Sequence, residues 1–259
     1  MRYAALGGGK RLRPFLVLET GRLFGADPAQ TLRVAAAVEM VHSYSLVHDD
    51  LPAMDDAAMR RGRPSCHAAF DEATAILAGD ALLTLAFELL AAPEPIADAG
   101  VRTRLVTGLA RSAGPVGMVG GQMIDLGAEG QVLGLDELGD LQARKTGALI
   151  RFACEAGAIV GGAPADAFRA IGCYGAALGR AFQVGDDLLD ALGDADRTGK
   201  DAGLDAERAK STFVTALGVD GARQEAQRLR DAALAALEPF DERADNLRAA
   251  ARFAIDRDH

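Results

Sequence analysis

The residues of this chain best suited to chemistry are its aspartates. In the stretch HSYSLVHDDLPAMDDAAMRRGR, residues 42–63, an apolar segment runs into Asp49, Asp50, Asp55 and Asp56 and then into Arg60, Arg61 and Arg63. A helix holds Asp49 and Asp50 at its C-terminal end only at a cost, because the macrodipole there is already negative and the carboxylates repel each other. Something cationic must offset that. A second cluster follows in GRAFQVGDDLLD, which brings another apolar run to Asp186, Asp187 and Asp190. Asp186 and Asp190 are spaced i, i+4, so they share a helix face and could hold one divalent ion between them. In the first cluster Pro52 stops the helix near Leu51, and Asp55 must return on a bend. The clusters are therefore alike in chemistry and different in geometry. A single acidic run is most simply a solvated helix end. Two of them, each closing an apolar helix and each matched by basic residues elsewhere, favour a functional reading.

The matching cations begin at the N-terminal end, where GGGKRLRP sets three glycines before Lys10, Arg11 and Arg13, with Pro14 in the first turn of the next helix. A glycine-rich approach lets backbone N–H groups and the following basic side chains surround an anion. The chain as a whole is acidic, with 28 Lys and Arg against 37 Asp and Glu, a net charge of -9. That balance argues against nucleic acid as the main partner, while local basic clusters remain able to bind small anions. Cys66, Cys154 and Cys173 lack paired metal-ligand spacing and read as buried free thiols in a reducing compartment. No signal peptide is visible, and the apolar windows at residues 73–93 and 146–165 are interrupted by Asp80 and Glu88 and by Arg151 and Glu155. The expectation is a cytoplasmic protein with no membrane span.

The elements that must position these residues read as helices throughout. Asp27-Pro28-Ala29-Gln30 has the form of a cap, a first-turn proline and a capping-box Gln, opening a long helix that ends at the first aspartates. Further helical runs follow residue 64, at 97–112 and at 116–128 around Gly114-Pro115. Asp136 caps a segment passing through Lys145, Thr146 and Gly147 to about Val160, and the adjacent Thr146-Gly147 suggests a helix irregularity at Lys145. Residues 193–205 form one long polar loop, and two amphipathic helices separated near Pro239 close the chain. No alternation of β-branched and polar residues calls for strands. The expectation is one all-α domain over residues 1–259, a bundle of about ten helices.

Taken in order, GGGKRLRP, DDLPAMDD, RRGRP, GGQMIDL, KTG, FQVGDDLLD and GKDAG resemble the trans-isoprenyl diphosphate synthase (polyprenyl synthetase) family, above all its bacterial farnesyl diphosphate synthases. The resemblance implies a helical bundle around a deep central cavity, usually homodimeric, and a chain lacking N-terminal helices that relatives possess. It implies head-to-tail condensation of isopentenyl diphosphate with dimethylallyl or geranyl diphosphate, giving farnesyl diphosphate and pyrophosphate. An allylic diphosphate must ionise, and Mg²⁺ with cationic side chains stabilises the departing pyrophosphate. Three Mg²⁺ ions are expected with substrate bound. By resemblance Asp49, Asp55 and Asp186 are direct Mg²⁺ ligands, with Asp50, Asp187 and Asp190 as direct or water-mediated supports. Arg60, Lys145 and Lys200 would hold the allylic diphosphate, with Thr146 and Gln183 nearby. Lys10, Arg13, His42 and Arg61 would hold the diphosphate of isopentenyl diphosphate. The released pyrophosphate, not a protein base, would take the final proton.

Tyr44 bears on product length. It lies five residues before Asp49 on the same helix, about one and a half turns deeper, where it could floor the space for the growing tail. An aromatic residue there resembles family members that stop at fifteen carbons. Three rivals stand beside this reading. A geranylgeranyl or other chain-length synthase differs only at the floor. A class I terpene cyclase has no need of Lys10, Arg13 and Arg61. A non-catalytic partner subunit would have lost motif residues.

Overall fold

The computed structural model describes residues 1–192 and 211–256. Lys200 and the polar loop of 193–205 lie outside the described residues. Helix α1 is Arg2–Ala5, α2 Leu12–Leu23, α3 Pro28–Asp49, α4 Cys66–Ala69, α5 Glu72–Ala91, α6 Ala99–Ala113, α7 Met118–Gly127, α8 Leu135–Gln142, α9 Ala148–Val160 and α10 Ala165–Leu192. Two more close the described chain, α11 over Phe213–Ala236 and α12 over Asp245–Asp256. Ten of these helices have eight or more residues, so the expected all-α bundle is the architecture observed.

Helix α3 runs through the middle of the bundle, and its sequence explains both ends. Asp27 accepts from the N–H of Ala29, and Pro28 occupies the first turn, where its missing N–H costs nothing. Gln30 does not complete the expected capping box. Its amide instead donates to the carbonyl of Pro95, a tertiary contact that local spacing does not reveal. Helix α3 ends at Asp49 with Asp50 as its C-cap, just before Pro52. Its apolar side, including Val34, Val38, Val41 and Tyr44, enters one continuous core shared with α2, α5, α6, α9, α10, α11 and α12. Burial of that contiguous apolar surface is what holds the helices together.

Four further features differ from the sequence expectation. A short antiparallel ladder pairs Met59–Arg60 with Arg63–Pro64, giving strands β1 and β2. Its turn has Arg61 at φ 54° and Gly62 at φ 72°, the left-handed pair of a tight hairpin, which Gly62 makes accessible. The segment leading to Lys145 is capped by Gly134, not Asp136, with the Glu137 carboxylate accepting from the Gly134 N–H at 3.0 Å. Cys173 is exposed, whereas Cys66 and Cys154 are buried. Helix α5, despite Asp80 and Glu88, is long and apolar enough to cross a membrane, with a mean hydropathy of 1.7. Six of its residues, from Ala75 to Leu90, are buried in the bundle.

Candidate active site

The first acidic cluster is built by the end of α3 and the turn that Pro52 forces. The Asp55 N–H donates to the carbonyl of Asp49 and the Ala57 N–H to that of Asp50, so the chain folds back and returns Asp55 beside Asp49. The β-hairpin then points Arg60 into the same place. Asp50, only 2% exposed, accepts from both Nε and a terminal nitrogen of Arg60, the first at 2.8 Å. Burial, the largest single influence, pulls the Arg60 guanidinium down, but the bond to Asp50 and the charges of Asp50, Asp49 and Asp55 together outweigh it and raise its pKa. Burial pushes the Asp50 carboxyl up, opposed by Arg60. The cation that the helix end required is therefore Arg60.

Asp49 has a different partner. Gln122 on α7 donates its amide to Asp49 Oδ1, at 2.5 Å. Three residues on, Asp125 accepts from Lys145 at 2.5 Å. Lys145 lies in a π-helical turn, Ala143–Gly147, between α8 and α9, the irregularity suggested by Thr146-Gly147. That turn packs directly on α7, since a Cβ on Gly121 would come within 2.3 Å of the Lys145 backbone nitrogen. Thr146, next in the turn, donates to Gln183 at 3.0 Å, and Gln183 donates to Asp187 at 3.0 Å.

The second cluster stays on an uninterrupted helix, α10, with Asp186 and Asp190 one turn apart. Asp187 turns away from that face. It is 4% exposed and accepts the N–H of Phe213 at 2.8 Å, tying the first turn of α11 to α10. Among the described residues, no three His, Cys, Asp or Glu side chains already converge as a metal cage. This donor chemistry still fits Mg²⁺, which binds through one or two carboxylates, several waters and substrate phosphates.

The basic side is formed by the loop before α2, by α3 and by the hairpin. Arg61 donates to the Gly8 carbonyl at 2.5 Å and lies 3.5 Å from His42 Nε2. Burial pushes Arg13 down to about 10, against the pull of Glu39 and Asp186, and its Nε is buried with no hydrogen-bond partner. His42 is driven well below its ordinary value by burial and then by Arg13, Arg61, Arg60 and Arg11. Arg13, His42 and Arg61 therefore do come together, and Asp186 faces Arg13 across the site. Lys10 is exposed, with its ammonium 5.7 Å from the ring centroid of Phe253 on α12. Tyr44 is buried in the core, and burial raises its hydroxyl pKa.

Sequence reasoning assigned no role to Glu39, Gln122 or Asp125. Glu39 pairs with Arg11 and faces Arg13 and Arg61. The sequence signal for Gln122 and Asp125 was the GGQMIDL motif, but only the fold brings it to Asp49 and Lys145.

The family model described as polyprenyl synthetase matches residues 1–248. The chain belongs to the polyprenyl synthetase family. It is 48% identical over 244 residues to the farnesyl diphosphate synthase of Escherichia coli K12, covering 93% of this chain and 82% of that one. Its fold is similar to an FPP/GFPP synthase from Zymomonas mobilis, with a TM-score of 0.89 and 46% identity over 98% of this chain and 86% of that one. It is also similar to the geranyltransferase of Helicobacter pylori solved with magnesium and isoprenyl diphosphate. That match has a TM-score of 0.87 and 35% identity, covering 96% of this chain and 84% of that one. As a polyprenyl synthetase the chain is a Mg²⁺-dependent prenyltransferase.

Proposed function

We propose that this enzyme makes farnesyl diphosphate, joining isopentenyl diphosphate head-to-tail to dimethylallyl or geranyl diphosphate with release of pyrophosphate. The observation that carries the reading is the meeting of two opposite rims. Asp49 and Asp55 lie beside Arg60 on one, and Arg13, His42 and Arg61 converge on the other. Bound Mg²⁺ supplies charge stabilisation to the leaving pyrophosphate. Asp49, Asp55 and Asp186 would hold it directly, and Asp190 would support it from one turn along α10. We assign Asp50 and Asp187 as indirect supports, because their carboxylates are bonded to Arg60 and to Phe213. Three ions with substrate bound complete this scheme.

Arg60, Lys145 and Lys200 hold the allylic diphosphate, with Thr146 and Gln183 fixing the π-turn that carries Lys145. Lys10, Arg13, His42 and Arg61 take the diphosphate of isopentenyl diphosphate. A neutral His42 donates a hydrogen bond without adding to the crowd of cations. The unpartnered Nε of Arg13 is a donor for an incoming oxygen. No side chain here is needed as the final base, since pyrophosphate can accept the proton. This second diphosphate site favours a synthase over a terpene cyclase, and the intact rims speak against a non-catalytic subunit.

The enzyme works as a homodimer of single-domain chains. Exposed apolar residues on α5 and α7, such as Leu77 at 66% and Met123 at 68%, suit a subunit interface. Its free thiols suit the cytoplasm, and neither nucleic acid nor a membrane span enters the scheme. The test is condensation with Mg²⁺, isopentenyl diphosphate and geranyl diphosphate. Wild type is expected to stop at fifteen carbons, and Tyr44→Ala to add a twenty-carbon product. No condensation by the folded protein overturns the reading, and a wild-type product of twenty carbons favours the geranylgeranyl alternative.

A further inference from the structure

His48 precedes the first aspartate, and nothing above gives it a task. It sits one helical turn beyond Tyr44 on α3, and the two rings meet edge to face, with centroids 5.7 Å apart and planes at 79°. Its Nε2 lies 3.0 Å from the carbonyl oxygen of Ile76 on α5. A carbonyl only accepts, so Nε2 carries the proton and donates. Asp80 Oδ1 stands 3.9 Å from the same nitrogen. The ring lies directly on the backbone of α5 at Gly79, where an added Cβ would fall 2.1 Å from Nε2 and 2.5 Å from Cδ2. Any larger residue at 79 has to displace the imidazole. Tyr44 is thus braced from the aspartate side by a ring that is itself anchored to a second helix.

We infer that His48, seated on Gly79 and anchored to the Ile76 carbonyl, is a positioning residue for Tyr44 and so sets where chain growth stops. The inference rests on the reading of Tyr44 as the floor of the tail site. Tyr44 lies about 7.5 Å below Asp49 along the helix axis, five residues at 1.5 Å each. A ring at that depth blocks the tail only while it keeps its rotamer. Removing the His48 edge opens space beside it, and filling Gly79 pushes the imidazole toward it. Both changes disturb the floor without touching a diphosphate ligand.

The experiment is product analysis with geranyl diphosphate and excess isopentenyl diphosphate for wild type, Tyr44→Ala, His48→Ala, Gly79→Ala and the Tyr44→Ala/His48→Ala double variant. The ratio of twenty-carbon to fifteen-carbon product is read within one sample, so partial misfolding of a variant does not affect it. His48→Ala and Gly79→Ala are each expected to raise that ratio about tenfold, the scale on which an apolar pocket discriminates by small changes in size. The double variant is expected to match Tyr44→Ala, because His48 acts through Tyr44. A wild-type ratio in His48→Ala beside a lengthened product in Tyr44→Ala overturns the inference and spares the floor. Effects that multiply in the double variant also overturn it, since His48 would then meet the tail itself. Products unchanged in Tyr44→Ala sink the floor reading and the inference with it.

Discussion

The acidic and basic rims differ in how far their charges are already answered. On the first rim three carboxylates have side-chain partners at hand, Asp50 on Arg60, Asp49 on Gln122 and Asp125 on Lys145. The basic rim gathers Arg11, Arg13, Arg61 and His42 around the Glu39 carboxylate, and three of these groups, Arg13, Arg61 and His42, are pushed toward their neutral forms, chiefly by burial. Carboxylates already held by side-chain partners are fixed in place before a metal ion arrives. Crowded cations gain only when an anion arrives. The asymmetry suits a site in which the acidic rim is preorganised and the basic rim is completed by a diphosphate.

The sharpest way to break the contrast is to strip the acidic rim of its cation. Arg60→Ala leaves Asp50 buried and without its ion-pair partner, a change that typically costs about 3–5 kcal/mol. The expected result is a large loss of stability in urea unfolding, together with loss of condensation activity. Unchanged stability would mean that Asp50 is solvated or repaired locally, and that the acidic rim is no better compensated than the basic one.

The opposite change deepens the deficit on the basic rim. Glu39→Gln removes the carboxylate nearest Arg11, Arg13 and Arg61 and is expected to destabilise the free enzyme by about 1–3 kcal/mol. Unlike the loss at Arg60, this one should be recovered by ligand. Inorganic pyrophosphate at a hundred times its dissociation constant stabilises a binding protein by about 2.7 kcal/mol. Thermal unfolding with and without pyrophosphate tests the point. A variant that pyrophosphate rescues no better than it rescues Arg60→Ala would remove the distinction between the rims.

Much of this arrangement is legible in the chain because it is local. Pro52 sets the end of α3, the i, i+4 spacing puts Asp186 and Asp190 on one face, and Thr146-Gly147 marks the π-turn. The hairpin was missed because two-residue strands show no alternation, although Arg61-Gly62 carries the turn signal. The partners were not legible because they are tertiary. Gln122 meets Asp49 across 73 residues and Phe213 meets Asp187 across 26, distances over which no helical period links two positions. Asp187 is the instructive case. Its sequence context is that of Asp186, and a rotation of one residue about α10 turns it from the open face into the interior.

The smallest expected effect on the comparison is a slope with pH. His42 titrates in the unfolded chain near its ordinary value of 6.5, and in the fold its pKa lies well below that because of burial and four arginines. Below 6.5 the unfolded chain therefore binds the extra proton and the fold does not. Stability from this residue is complete above that pH and is lost as the pH falls, at up to about 1.4 kcal/mol per unit. Urea unfolding at pH 7.5 and 5.5 is expected to show a larger loss for wild type than for His42→Gln, whose amide does not titrate. Pyrophosphate should shrink the difference, because an anion between the arginines relieves the repulsion that keeps His42 neutral. Equal losses in wild type and variant, with or without pyrophosphate, would mean that the basic rim has its negative charge already, and the asymmetry between the rims would disappear.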